Sequence, residues 1–230
     1  MSYVLKERLA AVGNYGGSRD AADIRYLVLH YTGNDGDTDE GNGAYFAGNT
    51  VKSSAHYFVD DDSVTRSVPD LRIAWSVGGK KYASCAETGG GSMHGIVTNA
   101  NSISIELCDT QRDGKVQAGE ATLANATALC RELMARYGIP AENVYRHFDV
   151  TGKLCPAYMV EDAAWRRFKA RLEEHMDNKP AAYAEEAVKW AMENGILQGD
   201  GGDLKLSAPC TRQQMVVFLH RFLRYLREKE

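Results

Sequence analysis

The stretch Ile24-Arg25-Tyr26-Leu27-Val28-Leu29-His30-Tyr31, followed by Thr32-Gly33-Asn34-Asp35-Gly36, decides how the chain is read. In a strand, Tyr26 and Val28 point one way and Leu27 and Leu29 the other. An element apolar on both faces is a central strand covered on both sides, which predicts an α/β architecture. His30 stands at the C-terminal end of that strand, before a turn-rich loop, where α/β sheets place their sites.

Working outward, Ala55-His56-Tyr57-Phe58-Val59 reads as a second strand, Asp60-Asp61-Asp62 as a turn and Val64 to Val68 as the return strand. The three aspartates lack EF-hand spacing and its closing glutamate, so a solvated turn is expected rather than a calcium site. Ser102 to Cys108 is a strand with Ile103, Ile105 and Leu107 on one face and Ser102, Ser104 and Glu106 on the other. Helices are expected near Gly43 to Ala47, over Glu120 to Tyr137 (stopped by Gly138 and Pro140) and over Val160 to Glu174. A strand at Val144 to Arg146 leads into His147. Gly78 to Gly95, rich in Gly, Ser and Lys, is a long loop of the kind that often carries function. The expected fold is a mixed central β-sheet flanked by helices over residues 1–176. A linker at 177–181 and a small helical domain at 182–230 follow.

A net charge of −4 excludes the basic footprint of a nucleic-acid binder. No apolar run reaches the roughly 18 residues of a membrane span, so no membrane partner is expected. The N-terminal residues lack a signal-peptide core, which predicts a chain made in a cytoplasm and released by another agent. Five cysteines, an odd number at wide spacing, argue against a disulfide framework. Cys108 and Cys130 sit in apolar patterns as core residues, while Cys85 and Cys210 take no assigned role.

Cys155 differs. His147 and Cys155 lie eight positions apart in Arg-His-Phe-Asp-Val-Thr-Gly-Lys-Leu-Cys-Pro (146–156), and both side chains suit zinc. A loop folding back could bring them to one ion, with His30 as third ligand and water in the open fourth position of a catalytic site. From the residues alone two plainer readings stay open: His30 as a hydrogen-bonded strand-end histidine, and Cys155 as a core filler. Lys153, two positions before Cys155, would face the same side in an extended segment.

Five blocks occur in order: Val-Leu-His-Tyr-Thr (28–32), Ser-Ala-His-Tyr-Phe-Val-Asp (54–60), Ala-Trp-Ser-Val-Gly (74–78), Ile-Ser-Ile-Glu-Leu-Cys (103–108) and the 146–156 segment. In this order and spacing, residues 20 to 175 resemble the zinc-dependent N-acetylmuramoyl-L-alanine amidases, a family that includes phage endolysins and peptidoglycan recognition proteins. The resemblance implies zinc held by His30, His147 and Cys155. It implies Glu106 as the acid that activates water and Lys153 as the residue that stabilises the oxyanion. It also implies peptidoglycan as substrate, with the amide between N-acetylmuramic acid and L-alanine as the bond cut. Some members carry a tyrosine just before the histidine of the second block. Here that position is Ala55, which favours Glu106 as the base. His56 and Trp75 are expected at the substrate groove, with a core position left open as the alternative for each.

Residues from about 181 to 226 resemble a single S-layer homology repeat, through Ala187-Val188, Trp190-Ala191, Asn194 to Gly199 and Thr211-Arg212-Gln213-Gln214. The resemblance implies a secondary cell-wall polymer as ligand, with Thr211 and Arg212 at its site. Thr-x-x-Gln is equally a capping box. A lone repeat leaves apolar helix faces exposed, so homo-oligomer formation through this domain is expected. An endolysin, released to act on the wall, fits these features. Two other classes stay open: a non-catalytic peptidoglycan binder, and a cysteine hydrolase with Cys155 as nucleophile and His147 as base.

Overall fold

The computed structural model describes residues 3–174, 180–199, 204, 206 and 210–227. Most of the expected linker at 177–181, and residues 200–203 of the Gly- and Asp-rich loop, lie outside the described residues. The chain divides into two compact units, residues 1–169 and 170–230.

The first unit contains strands β1 (Val4–Glu7), β2 (Tyr15–Ser18), β3 (Tyr26–Tyr31), β4 (Tyr57–Val59), β5 (Ser63–Arg66), β6 (Arg72–Ala74), β7 (Ser102–Leu107) and β8 (Val144–Arg146). Its helices are α1 (Asp39–Gly48), α2 (Cys85–Thr88), α3 (Glu120–Tyr137), α4 (His147–Thr151) and the start of α5 (Asp162–Glu174). A six-stranded sheet runs in the order β1-β5-β4-β7-β3-β8. All its pairings are parallel except the β4–β5 hairpin, so the sheet is mixed as expected. Strands β2 and β6 form a separate antiparallel pair.

The sheet is covered on both faces. Helix α3 packs on β7 and β4 with Ala126, Leu129, Cys130 and Leu133 buried, meeting the face that carries Ile103, Ile105 and Leu107. Helix α1 lies on β4 and β5, with Phe46 stacked on Phe58 at 5.3 Å between ring centroids. Helix α4 packs on β8 and β3. Five elements escaped the periodicity argument, among them α2, a single turn inside the stretch read as a long loop. Strands β1, β2 and β6 are short and partly exposed, and α4 is a single turn begun by a histidine.

The Asp60–Asp62 segment is a turn in which Asp61 and Asp62 are exposed, as expected, but Asp60 is only 2% exposed. Its carboxylate accepts the backbone N–H groups of Asp39, Asp62 and Ser63, while burial pushes its pKa up to about 6. Asp39 in turn accepts from the Ser63 and Thr65 hydroxyls. These carboxylates are satisfied by the hairpin that they shape. Among the described residues, no helix is long and apolar enough to cross a membrane.

His56 does not line a groove. It is 1% exposed, because β4 enters the sheet beside β7 and its side chain faces inward. The Ser104 backbone N–H donates to Nδ1 at 3.0 Å, and Nε2 lies 3.0 Å from the Arg72 carbonyl and 2.9 Å from the Arg19 guanidinium. Burial first, then the Arg19 guanidinium, holds its pKa down to about 3. This tie joins β4, β7 and β6.

The second unit holds α6 (Glu185–Glu193) and α7 (Arg212–Arg227). Trp190 meets Phe222 and Tyr225 edge-on, and Arg221 donates to the Ile196 carbonyl at 3.2 Å.

His56 generates a pH prediction. Unfolded, it binds a proton near pH 6.5; folded, only near pH 3, so stability is full above pH 6.5 and falls as pH drops below it. The cost to the fold at pH 5 is about 2 kcal/mol. Urea midpoints measured from pH 7 to pH 5 are expected to fall less steeply for His56→Gln than for the unchanged chain.

Candidate active site and metal centre

Parallel register builds the site. In β3 and β7, His30 pairs directly with Glu106, so the two side chains rise from the same face. On the other side of β3, Leu29 pairs with Arg146, which puts His147 at the level of His30 one residue later. Their rings stand 4.6 Å apart, edge to face. Three adjacent strand ends therefore present Glu106, His30 and His147 in one tier.

Cys155 joins them because the chain from His147 returns on itself. Helix α4 is opened by Asp149, whose carboxylate accepts the Arg146 backbone N–H at 2.7 Å and pairs with the Arg146 guanidinium at 2.7 Å. It closes at Gly152, whose φ of +83° suits glycine. A Cβ there would also fall 2.1 Å from Cys85 Sγ. The Phe148 N–H then donates to the Cys155 carbonyl at 3.0 Å. This closure brings ligands eight positions apart to one place.

One ligand atom from each of His30, His147 and Cys155 lies within 4.8 Å of the others, and all three residues are buried. Cys155 Sγ is 3.9 Å from His30 Nδ1. Two imidazole nitrogens, His30 Nε2 and His147 Nδ1, are buried without a hydrogen-bond partner, so the protein itself does not use these donors fully. Burial, then the neighbouring His147 and Lys153 charges, holds the His30 pKa well below its usual value; burial and Lys153 bring His147 down to about 4. Both are thus neutral imidazoles, the form that binds metal. Two nitrogens and a sulfur at this spacing match the donor set of a zinc site with one position open.

Burial pushes the Cys155 thiol up to about 12, with Glu106 adding to the effect and the Tyr31 amide and Lys153 opposing it. A 1% exposed thiol of that basicity is a poor free nucleophile, which counts against the cysteine-hydrolase alternative. A cation is what would draw the proton off it.

Glu106 has Oε1 3.9 Å from His30 Nδ1 and a buried Oε2 with no hydrogen-bond partner. Burial raises its pKa to about 8, against the pull of Lys153. It opens toward a cavity of about 490 Å³ that Thr32, Asn42, Tyr45 and Phe58 also line. Lys153 is exposed and shares a second cavity, of about 510 Å³, with His147. Its segment is not extended: the Cys155 N–H donates to the Lys153 carbonyl at 2.7 Å, a tight turn that buries Cys155 and leaves the lysine outward. Tyr57 is directed away from this tier and donates to Asp70.

Trp75 is half-buried and lines a third cleft, of about 440 Å³, with Ile73, His94 and Val97; Gly78 and Gly79 border both this cleft and the His147–Lys153 cavity. In the second unit, Thr211 and Gln214 exchange hydrogen bonds of 2.8 and 3.2 Å, the reciprocal cap of α7. Thr211 also borders a cavity of about 410 Å³ with Leu197, Phe218 and Arg221, whereas Arg212 is exposed and does not border it. Sequence reasoning missed Arg221 there, since an arginine on a helix gives no signal of the carbonyl it meets.

The model of the N-acetylmuramoyl-L-alanine amidase family matches residues 20–158, and that of the S-layer homology domain matches residues 175–216. Among curated proteins, the amidase CwlL of Bacillus licheniformis is 31% identical over 69% of this chain and 43% of its own length. The amidase XlyB of Bacillus subtilis is 28% identical over 87% of this chain and 58% of its own. The chain thus spans about half the length of the curated relatives it matches. Among solved structures, PlyL is 28% identical, with 74% of this chain and 96% of that one covered and a TM-score of 0.57. The catalytic domain of XlyA is 28% identical, with 74% and 99% covered and a TM-score of 0.56. A mutant endolysin from Bacillus subtilis is 25% identical, with 74% and 99% covered and a TM-score of 0.57. With a family model spanning the whole tier of Glu106, His30, His147, Lys153 and Cys155, this chain belongs to the N-acetylmuramoyl-L-alanine amidase family.

Proposed function

We propose that the chain hydrolyses the amide between N-acetylmuramic acid and L-alanine in bacterial peptidoglycan, as an endolysin does. The observation that carries this reading is the shared tier: a soft metal-donor set with an unsatisfied carboxyl beside it at the C-terminal ends of parallel strands. His30, His147 and Cys155 would hold zinc, which when bound supplies a Lewis acid and acidifies water. Glu106 accepts the proton of the attacking water and delivers it to the departing nitrogen. Burial raises the Glu106 pKa, which makes its carboxylate a stronger base for that exchange. Lys153 places its ammonium beside the negative charge that develops on the carbonyl oxygen. Trp75 offers an apolar face in the adjoining cleft for a sugar or the peptide stem.

The C-terminal unit would bind a secondary cell-wall polymer, with Thr211 and Arg212 at its site, and bring copies of the chain together. Met215, Val216, Leu219, Leu223 and Leu226 of α7 are all exposed, an apolar surface that favours association. The linker reading at 177–181 stands as part of this two-part proposal.

Mass spectrometry of digested cell walls tests the bond: a new free L-alanine amine is expected, and glycan cleavage would overturn the reading. Glu106→Gln is expected to lower kcat by about 10²–10⁴-fold, the usual worth of a general base, and Lys153→Met by about 10²–10³-fold. Cobalt(II) loading is expected to give a thiolate-to-metal charge-transfer band. Cys155→Ser should abolish that band and weaken binding by more than the roughly 100-fold that a supporting residue can cost. Light scattering at micromolar concentration is expected to give a mass above the monomer; a monomer mass would contradict association through the C-terminal unit.

A further inference from the structure

The loop from Gly78 to Gly95 carries two lysines that the chemistry above does not use. Lys80, Lys81 and Lys153 line one cavity of about 510 Å³ together with His147, Tyr82 and Thr151. Among the described residues, none of the three lysines has a carboxylate at ion-pair distance. Like charges facing one void repel, and an anion in that void relieves the repulsion. In a chain of net charge −4, this is a local concentration of the opposite sign.

The loop that presents them is tied down. The Tyr82 N–H donates to the Thr151 carbonyl at 2.8 Å, Gly91 to Phe148 at 2.9 Å and Met93 to Asp149 at 2.8 Å. The Cys85 thiol points at the Thr151 carbonyl at 3.4 Å. A Cβ at Gly91 would fall 2.6 Å from Lys81 Cε, so the lysine stem runs directly over that glycine. The loop is thus fastened along the whole of α4, the element that begins with His147. The backbone that carries Lys81, an exposed residue, is thereby held beside α4, which lowers the ordering cost of binding.

We propose that Lys80 and Lys81 form an anion subsite that selects a stem peptide bearing a free carboxylate close to the scissile amide. The proposal rests on the amidase reading, because that reading supplies the substrate. The cavity shares His147 with the metal donors, so a group held there lies only a few bonds from the reacting amide. The sugar offers hydroxyls at that reach, which need no cation; the acidic residue next to L-alanine offers a carboxylate. Where that carboxylate is replaced by a carboxamide, the charge contact is lost and the shape is kept.

Calorimetry on the full chain, zinc-loaded and carrying Glu106→Gln to slow turnover, tests this. The probes are N-acetylmuramoyl-L-alanyl-D-γ-glutamyl-L-lysinamide, whose glutamyl α-carboxylate is the one free carboxylate, and the same compound with that group as a carboxamide. The carboxylate is expected to bind about five- to tenfold more tightly, the worth of one or two exposed charge contacts, with the preference shrinking as salt rises. Lys80→Gln with Lys81→Gln is expected to abolish the preference, and Lys81→Glu alone to reverse it, with the thermal midpoint confirming that each variant is folded. Equal binding of the two probes, binding of neither, or a preference that survives both variants would overturn the subsite. Failure of the amidase reading shows separately, as absence of the L-alanine amine when the unchanged chain is incubated with either probe.

Discussion

The parallel pairing of Tyr26–Tyr31 with Ser102–Leu107 on one side and Val144–Arg146 on the other is the constraint from which the site follows. Because side chains alternate along a strand, a slip of one residue in either pairing would turn Glu106 or His30 to the opposite face. That opposite face is closed by α3, whose Leu129 and Leu133 are buried against it. Burial of Ile103 and Ile105 under α3, and of Leu27 and Leu29 on the same face of the sheet, thus fixes the register, and the register fixes the tier of donors. The fold and the chemistry share one cause: the hydrophobic face cannot be satisfied without raising His30 and Glu106 together on the other side.

The two halves of the site reach the tier by different physics. Glu106, His30 and His147 arrive by strand alignment. Cys155 and Lys153 arrive through a loop that closes on itself by one backbone hydrogen bond, a left-handed glycine and a buried guanidinium. Arg146 ties that loop to its surroundings: it pairs with Asp149, donates to the Met159 and Val160 carbonyls and lies over the Phe148 and Trp165 rings. The tight turn at Lys153 to Cys155 divides the labour, with the sulfur buried among the histidines and the ammonium left at the mouth of a cavity.

Much of this was legible in the sequence. The two-sided apolar run before His30 marked the central strand, and the alternation from Ser102 to Cys108 placed Glu106 opposite the core face. The four-residue spacing in Glu120–Tyr137 gave the covering helix with its observed bounds. His56 was not legible: a histidine between apolar neighbours reads the same whether it faces a groove or a buried seryl amide, and only the β4–β7 register decides. Asp60 looked as solvated as Asp61 and Asp62 are, because composition does not reveal that its carboxylate caps the hairpin and α1 from within. The segment from Lys153 to Cys155 looked extended because spacing of two is shared by strands and by the tight turn found there. Strands β1, β2 and β6 are too short for a period to register.

The central claim is that two imidazoles and one thiolate converge on a single cation. X-ray absorption at the zinc edge of the full chain, loaded with one equivalent of zinc, measures this directly. One sulfur at about 2.3 Å and two imidazole nitrogens at about 2.0–2.1 Å, with a light oxygen or nitrogen completing the shell, is the expected result. A shell without sulfur, or one made of oxygens alone, would contradict it.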